Sequence, residues 1–285
     1  MKVLHVIWSW LKKTWKKILA FSGVLFLGIV IGVLLQRSDS TKIYLQLVLQ
    51  NAIIDPYVWF SKLFDKDADN EGKEFVLLKT RKLDLSRDDK EYDTEKDSRF
   101  RYIQHQLLPE QTALVLIDVW DTTDEPNDGF AQRHDNYVKD RISPLVNFAR
   151  SKGIKVIHSP HSYKISKRIK VLDEDIVFDC INLPEQLQTL SFYRLLGELN
   201  IETVLYAGNS THKCLFLRPD GIYGMRKLID DMILVRDATI AFEYSETIDG
   251  EWTRKVFTHF IEESFGSTTT FADLREAFAN AEESN

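Results

Sequence analysis

The stretch "LYAGNSTHKCLF", residues 205–216, decides how the chain is read. An apolar run, "TVLYAG" (203–208), ends in Gly-Asn-Ser-Thr, and Cys214 follows three residues after Thr211. A strand that passes through a short polar loop into a helix accounts for this pattern, with Cys214 opening the helix. A helix amino terminus favours anions, so the position is expected to lower the thiol's pKa and to offer amide donors to an oxyanion. A buried, inert cysteine is the plainer alternative. The chain has one other cysteine, Cys180. A Cys180–Cys214 bridge stays open, but the pair lacks the Cys-x-x-Cys spacing of a redox motif.

Outward from this loop, strand and helix patterns alternate. "TALVLIDVW" (112–120) is a continuous apolar run, expected as a buried strand. Helical spacing follows over 135–153 and stops at Gly153. Strands are expected at 154–158 and 174–179, a helix at 187–200, and the strand 203–208. A helix from Cys214 to about Leu228, a strand at 232–238 and helices at 251–264 and 271–280 complete the pattern. This alternation predicts an α/β fold, a doubly wound, mostly parallel sheet with helices on both faces. Ligands in such folds sit beyond the carboxyl ends of the strands, which here carry Asp118, His158, Asp179 or Cys180, the 208–214 loop and Asp237.

The amino-terminal part reads differently. Residues 18–35, "ILAFSGVLFLGIVIGVLL", carry no charge and are preceded by Lys2, Lys12, Lys13, Lys16 and Lys17. That run is expected to form one transmembrane helix, with 1–17 a basic cytoplasmic segment and the rest of the chain on the outer, periplasmic or extracytoplasmic side. A cleaved signal peptide fits less well, because no small-x-small site follows. Gly28 and Gly32 form a GxxxG, which permits close approach of two membrane helices. Residues 36–109 read as a juxtamembrane amphipathic helix over 43–64 and a charged linker, leaving 110–285 as the folded domain. The net charge of −6 excludes a dedicated nucleic-acid binder.

"ALVLIDVWD", then "GNSTHKC", then "GIYGMRKLIDDMILVRDATIAFE" together resemble the isochorismatase-like cysteine hydrolases over roughly residues 110–280. In that family the first strand ends in a catalytic Asp and a Gly-x-x-Thr-x-x-Cys loop carries the nucleophile. These fall on Asp118 and on Gly208, Thr211 and Cys214, with the later Asp-Ala at Asp237 and Ala238. The resemblance implies that Asp118 takes the thiol proton and Cys214 attacks a carbonyl of a small-molecule substrate. It implies an oxyanion site in the loop at Ser210, Thr211 and Lys213, a cis peptide near Asn209 to Thr211, and a homo-oligomer. The family's lysine at the end of the third strand is absent: the slot falls in "FDCINL" (178–183). Lys164, Lys167 and Lys170 are candidates to replace it from the preceding loop. Trp120, Arg133, His134, His158, His161 and Cys180 are expected pocket residues, and His212 is expected to face solvent. No cofactor is expected, and His158 with His161 alone is a weak zinc signal. The leading expectation is a membrane-anchored cysteine hydrolase of a small amide or related C–N bond. The competing one is a catalytically impaired domain used for binding or scaffolding, which the missing lysine favours and the presence of Asp118 and Cys214 opposes.

Overall fold

The computed structural model describes residues 74–84, 99–122, 128–160, 164–179 and 182–284. All fall within one unit, Asn70–Asn285. The apolar run 18–35, the stretch 43–64, His161 and Cys180 lie outside the described residues; among those described, no helix is long and apolar enough to cross a membrane.

Strand β3, Thr112–Ile117, is buried along its whole length. It lies between β4, Lys155–Ser159, and β6, Thr203–Asn209, and runs parallel to both. With neighbours on both edges and helices on both faces, no position of β3 meets water, so its sequence after Thr112 is continuously apolar rather than alternating. Leu114, Leu116, Leu205, Ala207, Ile233 and Val235 point to one face of the sheet, against Ile142, Leu145, Val146 and Ala149 and against Leu274, Ala277 and Phe278. Val115, Ile117, Val204 and Tyr206 alternate to the opposite face and are equally buried. Each such side chain contributes about 1.5–3 kcal/mol of burial, an upper figure.

The sheet order is β2-β1-β8-β7-β6-β3-β4-β5. Here β1 is Val76–Asp84, β2 Arg99–Leu107, β5 Ile176–Val177, β7 Asp231–Ile240 and β8 Ser267–Thr269. The six strands from β8 to β5 are parallel. From β3 the chain steps outward through β4 to β5, then returns past β3 to lay down β6, β7 and β8. The winding reverses between β3 and β6, and the carboxyl ends of those two strands frame the crevice in which doubly wound sheets hold ligands.

The helices follow their local signals. Helix α1, Gly129–Tyr137, starts at Asp128, whose carboxylate accepts the Phe130 and Ala131 amides at 3.4 and 3.1 Å. A π-turn at Val138–Ile142 joins it to α2, Ser143–Ser151, just before Pro144, a residue with no N–H to give the preceding turn. The chain leaves α2 through Gly153 at φ +73°, the left-handed stop that the sequence predicts. Helix α3, Glu185–Glu198, precedes β6; α6, Trp252–Ser264, precedes β8; α7, Phe271–Ser284, closes the chain.

Three expectations need correction. The fold does not begin near residue 110: β1, Val76–Asp84, and β2, Arg99–Leu107, form an antiparallel hairpin whose β1 pairs antiparallel with β8. Only Val76, Leu78 and Thr80 of β1 are buried, and the edge strand β2 is almost wholly exposed, so neither carries a strong apolar pattern. The third strand of the wound sheet is two residues rather than six, because it forms the opposite edge. The helix expected from Cys214 to Leu228 is two single turns, α4 at Cys214–Leu217 and α5 at Ile222–Met225, because Pro219 and Gly221 break it.

Candidate active site

Asp118 is the first residue beyond β3. Its amide reaches the Ser159 carbonyl at 3.0 Å, and its φ of +47° lies in the left-handed region that aspartate tolerates better than most residues. On the adjacent strand, Gly208 has φ +113°, and a Cβ there would sit 2.2 Å from the Ile117 carbonyl oxygen. Only glycine lets β6 come this close to β3 and bring its loop beside Asp118. The Asn209–Ser210 peptide is cis, within the segment where the family resemblance implied one. The Thr211 hydroxyl anchors the loop to the Thr239 hydroxyl at 2.8 Å and the Ile240 carbonyl at 2.9 Å.

This loop sets Cys214 against Asp118, and the thiol donates a hydrogen bond to the carboxylate. Burial, the Asp118 charge and that hydrogen bond push the Cys214 thiol up to about 12, against the opposing pull of Arg218 and the Ser210 amide. The expected lowering of the thiol by a helix terminus is therefore corrected. Helix α4 is one turn long, and desolvation beside an anion dominates. The resting pair is a neutral thiol facing a carboxylate.

A cation that the sequence reading did not consider lies beside Asp118. Arg218 Nη1 donates to Asp118 Oδ1 at 2.6 Å and to the Ser159 carbonyl at 3.0 Å. Its Nη2 reaches Ser159 Oγ at 2.7 Å and Asp220 Oδ2 at 3.2 Å, and its Nε reaches Asp220 Oδ1 at 3.1 Å. The Ser159 hydroxyl in turn donates to Asp220. Arg218, Asp118, Asp220 and Ser159 are all buried. A charged residue inside an expected helix reads as solvated face; the available signal was Pro219, which drives the residue before it out of helical conformation, and Arg218 sits at φ −60°, ψ 155°. The lysines expected in this role do not fill it. Lys167 pairs with Asp121 at 3.0 Å from an exposed position, and Lys164 and Lys170 are exposed.

The expected oxyanion donors divide. The Thr211 amide is held by the Ile240 carbonyl at 2.9 Å and the Lys213 amide by the Ser210 carbonyl at 3.0 Å, so neither faces a substrate. The Ser210 amide points at the sulfur. Among the described residues no backbone carbonyl takes the His212 or Cys214 amide. The Lys213 ammonium stands 5.3 Å over the Phe242 ring. His212 is buried rather than solvent-facing, and its Nδ1 meets Ser210 Oγ at 3.1 Å.

Of the expected pocket residues, Trp120 and His134 stack at 4.2 Å beside Asp118. Burial lowers His134 to about 4 despite Asp135 and the Asp118 carbonyl, so the ring is neutral. Phe130 and Phe242, which the sequence reading missed, extend this wall, their centroids 5.3 Å apart. Arg133 Nη2 donates to the Ala241 carbonyl at 2.8 Å. His158 also leaves the site. Strand alternation turns it away from its neighbour Ser159, and its Nε2 meets Asp175 at 3.1 Å. Burial lowers its pKa, with Asp175 opposing. Asp237 caps α7 through the Phe271 amide at 2.9 Å. Among the described residues Cys214 is a free thiol, and no cluster of His, Cys, Asp and Glu could hold a metal.

No family model and no curated protein matches the chain. Solved structures do. A cysteine hydrolase from Pseudomonas syringae pv. phaseolicola 1448A is 18% identical, with 61% of this chain and 94% of that one covered, at a TM-score of 0.48. An isochorismatase from Pseudomonas putida KT2440 is 16% identical over 57% and 90%, at 0.45. A pyrazinamidase of Pyrococcus horikoshii, in complex with zinc, is 11% identical over 56% and 99%, at 0.39. Each of these is a structure to which the described unit is similar, at the identities and coverages given.

Proposed function

We propose that the protein is a cysteine hydrolase of a small amide or related C–N bond, tethered to a membrane by residues 18–35 with its amino terminus cytoplasmic and the hydrolase unit on the outer side. The observation that carries the chemistry is the thiol of Cys214 hydrogen-bonded to an Asp118 carboxylate that a buried Arg218 holds in place.

Asp118 accepts the Cys214 proton while sulfur bonds to the carbonyl carbon. The resulting oxyanion falls to the loop amides, of which those of His212 and Cys214 remain available. The C–N bond breaks, the amine departs with the proton from Asp118, and an acyl thioester stays on Cys214. Water then attacks the thioester carbonyl, giving its proton to Asp118. The acid leaves, and the proton returns to sulfur. Trp120, Phe130 and Phe242 offer flat apolar walls for the acyl part.

The test is release of amine or ammonia from a panel of small amides by the full chain, compared with Cys214→Ala. Turnover that Cys214→Ala abolishes supports the reading. A second reading, an impaired domain kept for binding, is favoured by the thiol's position at about 12. No turnover across the panel, together with saturable binding of an amide, would favour that one instead.

A further inference from the structure

Arg218 lies between two carboxylates, and only one of them touches the sulfur. Asp118 accepts the Cys214 thiol on one side and Arg218 Nη1 on the other. Asp220 takes Arg218 Nε and Nη2 and the Ser159 hydroxyl, and is itself fully buried. The buried group therefore holds two anions against one cation. We propose that Arg218 is the positioning residue for Asp118, and that Asp220 sets how much of its positive charge reaches the Asp118–Cys214 pair. This rests on the assignment of Cys214 and Asp118 as nucleophile and base.

The geometry supports it from three sides. The guanidinium makes five hydrogen bonds to acceptors just beyond β3, on β4 and on its own loop, so its orientation is locked. It comes from the segment that carries the nucleophile, four residues past Cys214. One rigid loop therefore delivers both the sulfur and the charge that steadies its base. A guanidinium also keeps its charge across the range in which proteins stay folded, so it cannot lend a proton as an ammonium could. Proton traffic then belongs to Asp118. Moving the proton from Cys214 to Asp118 leaves the total charge of the group unchanged while shifting the anion to sulfur, and Arg218 remains beside both. Among the described residues the other titratable groups nearby engage other partners: His134 stacks on Trp120, His212 meets Ser210, and Lys213 covers Phe242.

Asp220 opposes Arg218 electrostatically, so its neutralisation and the loss of Arg218 should move the thiol in opposite directions. The experiment is the rate of Cys214 alkylation by iodoacetamide in the full chain at about pH 8, near the ordinary thiol value. Peptide mass mapping locates the adduct, and circular dichroism on heating reports the fold. Expected is a roughly tenfold slower reaction in Arg218→Ala, equal to about one unit in the thiol pKa. Arg218→Lys should recover part of the rate, and Asp220→Asn should react several-fold faster than the parent protein. A purely structural role would loosen the site in both Arg218→Ala and Asp220→Asn and speed both. Changes of the same sign, or no change in either, overturn the proposal. Should Arg218→Ala not fold, Arg218→Lys against Asp220→Asn carries the same opposition of signs. Opposed rates without amide turnover would leave this assignment standing and remove the hydrolase reading. Turnover with unmoved rates would do the reverse.

Discussion

Asp118 and Arg218 are a hundred residues apart in the chain and 2.6 Å apart in space. The contact exists because β3 and the loop after β6 meet where the winding of the sheet reverses, and because Pro219 turns Arg218 inward instead of continuing α4. It fixes the direction of the Asp118 carboxylate and places a guanidinium beside it.

Gly208 tests the closeness on which that meeting depends. Gly208→Ala would put a methyl 2.2 Å from the Ile117 carbonyl oxygen at a φ of +113°. The expected cost is on the order of 3 kcal/mol or failure to fold, read as a fall in the urea midpoint. Gly197, inside α3, is the control, since a methyl added there would meet nothing within 4 Å. Gly197→Ala should raise stability by about 0.5–1 kcal/mol.

The hairpin is held to the wound sheet through a buried acid. Glu262 accepts Arg81 Nε at 2.8 Å and Thr268 Oγ1 at 2.5 Å, and its side chain is fully buried. Arg81→Ala removes the guanidinium hydrogen-bonded to that carboxylate and leaves Arg236 nearby, at an expected cost of about 3 kcal/mol in chemical denaturation. Arg81→Ala in a Glu262→Gln background should cost much less, since the stranded charge is gone. Equal costs in both backgrounds would contradict this account of the β1–β8 junction.

Stability should fall in mild acid through His134. Its folded pKa, about 4, lies below the ordinary histidine value of 6.5, because burial disfavours the charged ring. Between those values the unfolded chain binds more protons than the folded one. The contribution is therefore fully present above about pH 6.5 and lost as the pH falls toward about 4, amounting to on the order of 3 kcal/mol. Comparing unfolding free energies across this window, His134→Gln should show a visibly shallower decline than the parent protein.

The membrane tether makes a separate prediction. The full chain should stay with membranes through alkaline carbonate extraction, and removal of residues 1–36 should release it. Release of the intact full chain by carbonate would remove the tether from the account.

The wound sheet was legible because β3 and β6 are buried throughout and helix stops such as Gly153 are chemically explicit. Asp118 and Cys214 fall at strand ends, but it was the resemblance of "ALVLIDVWD" and "GNSTHKC" to the isochorismatase-like hydrolases that singled them out. The hairpin was not legible: its outer strand is exposed and its inner strand buries only three side chains, so burial left little trace in either. Arg218 was hidden because its role depends on a helix break, and the same charge on an unbroken helix would face water. His158 misled for the opposite reason. It ends a strand beside the site, yet the two-residue alternation sends it to the other face.

The central claim is that Asp118 is the base for a neutral Cys214, and the most direct measurement compares two reactions of Asp118→Asn. One is acyl-thioester formation on Cys214 from an amide that the parent protein cleaves, followed by intact mass; the other is alkylation of the same sulfur at about pH 8. Acylation is expected to fall by roughly 10²–10⁴, while alkylation rises because the neighbouring anion is gone. Acylation that survives the substitution, or alkylation that falls along with it, would contradict the account.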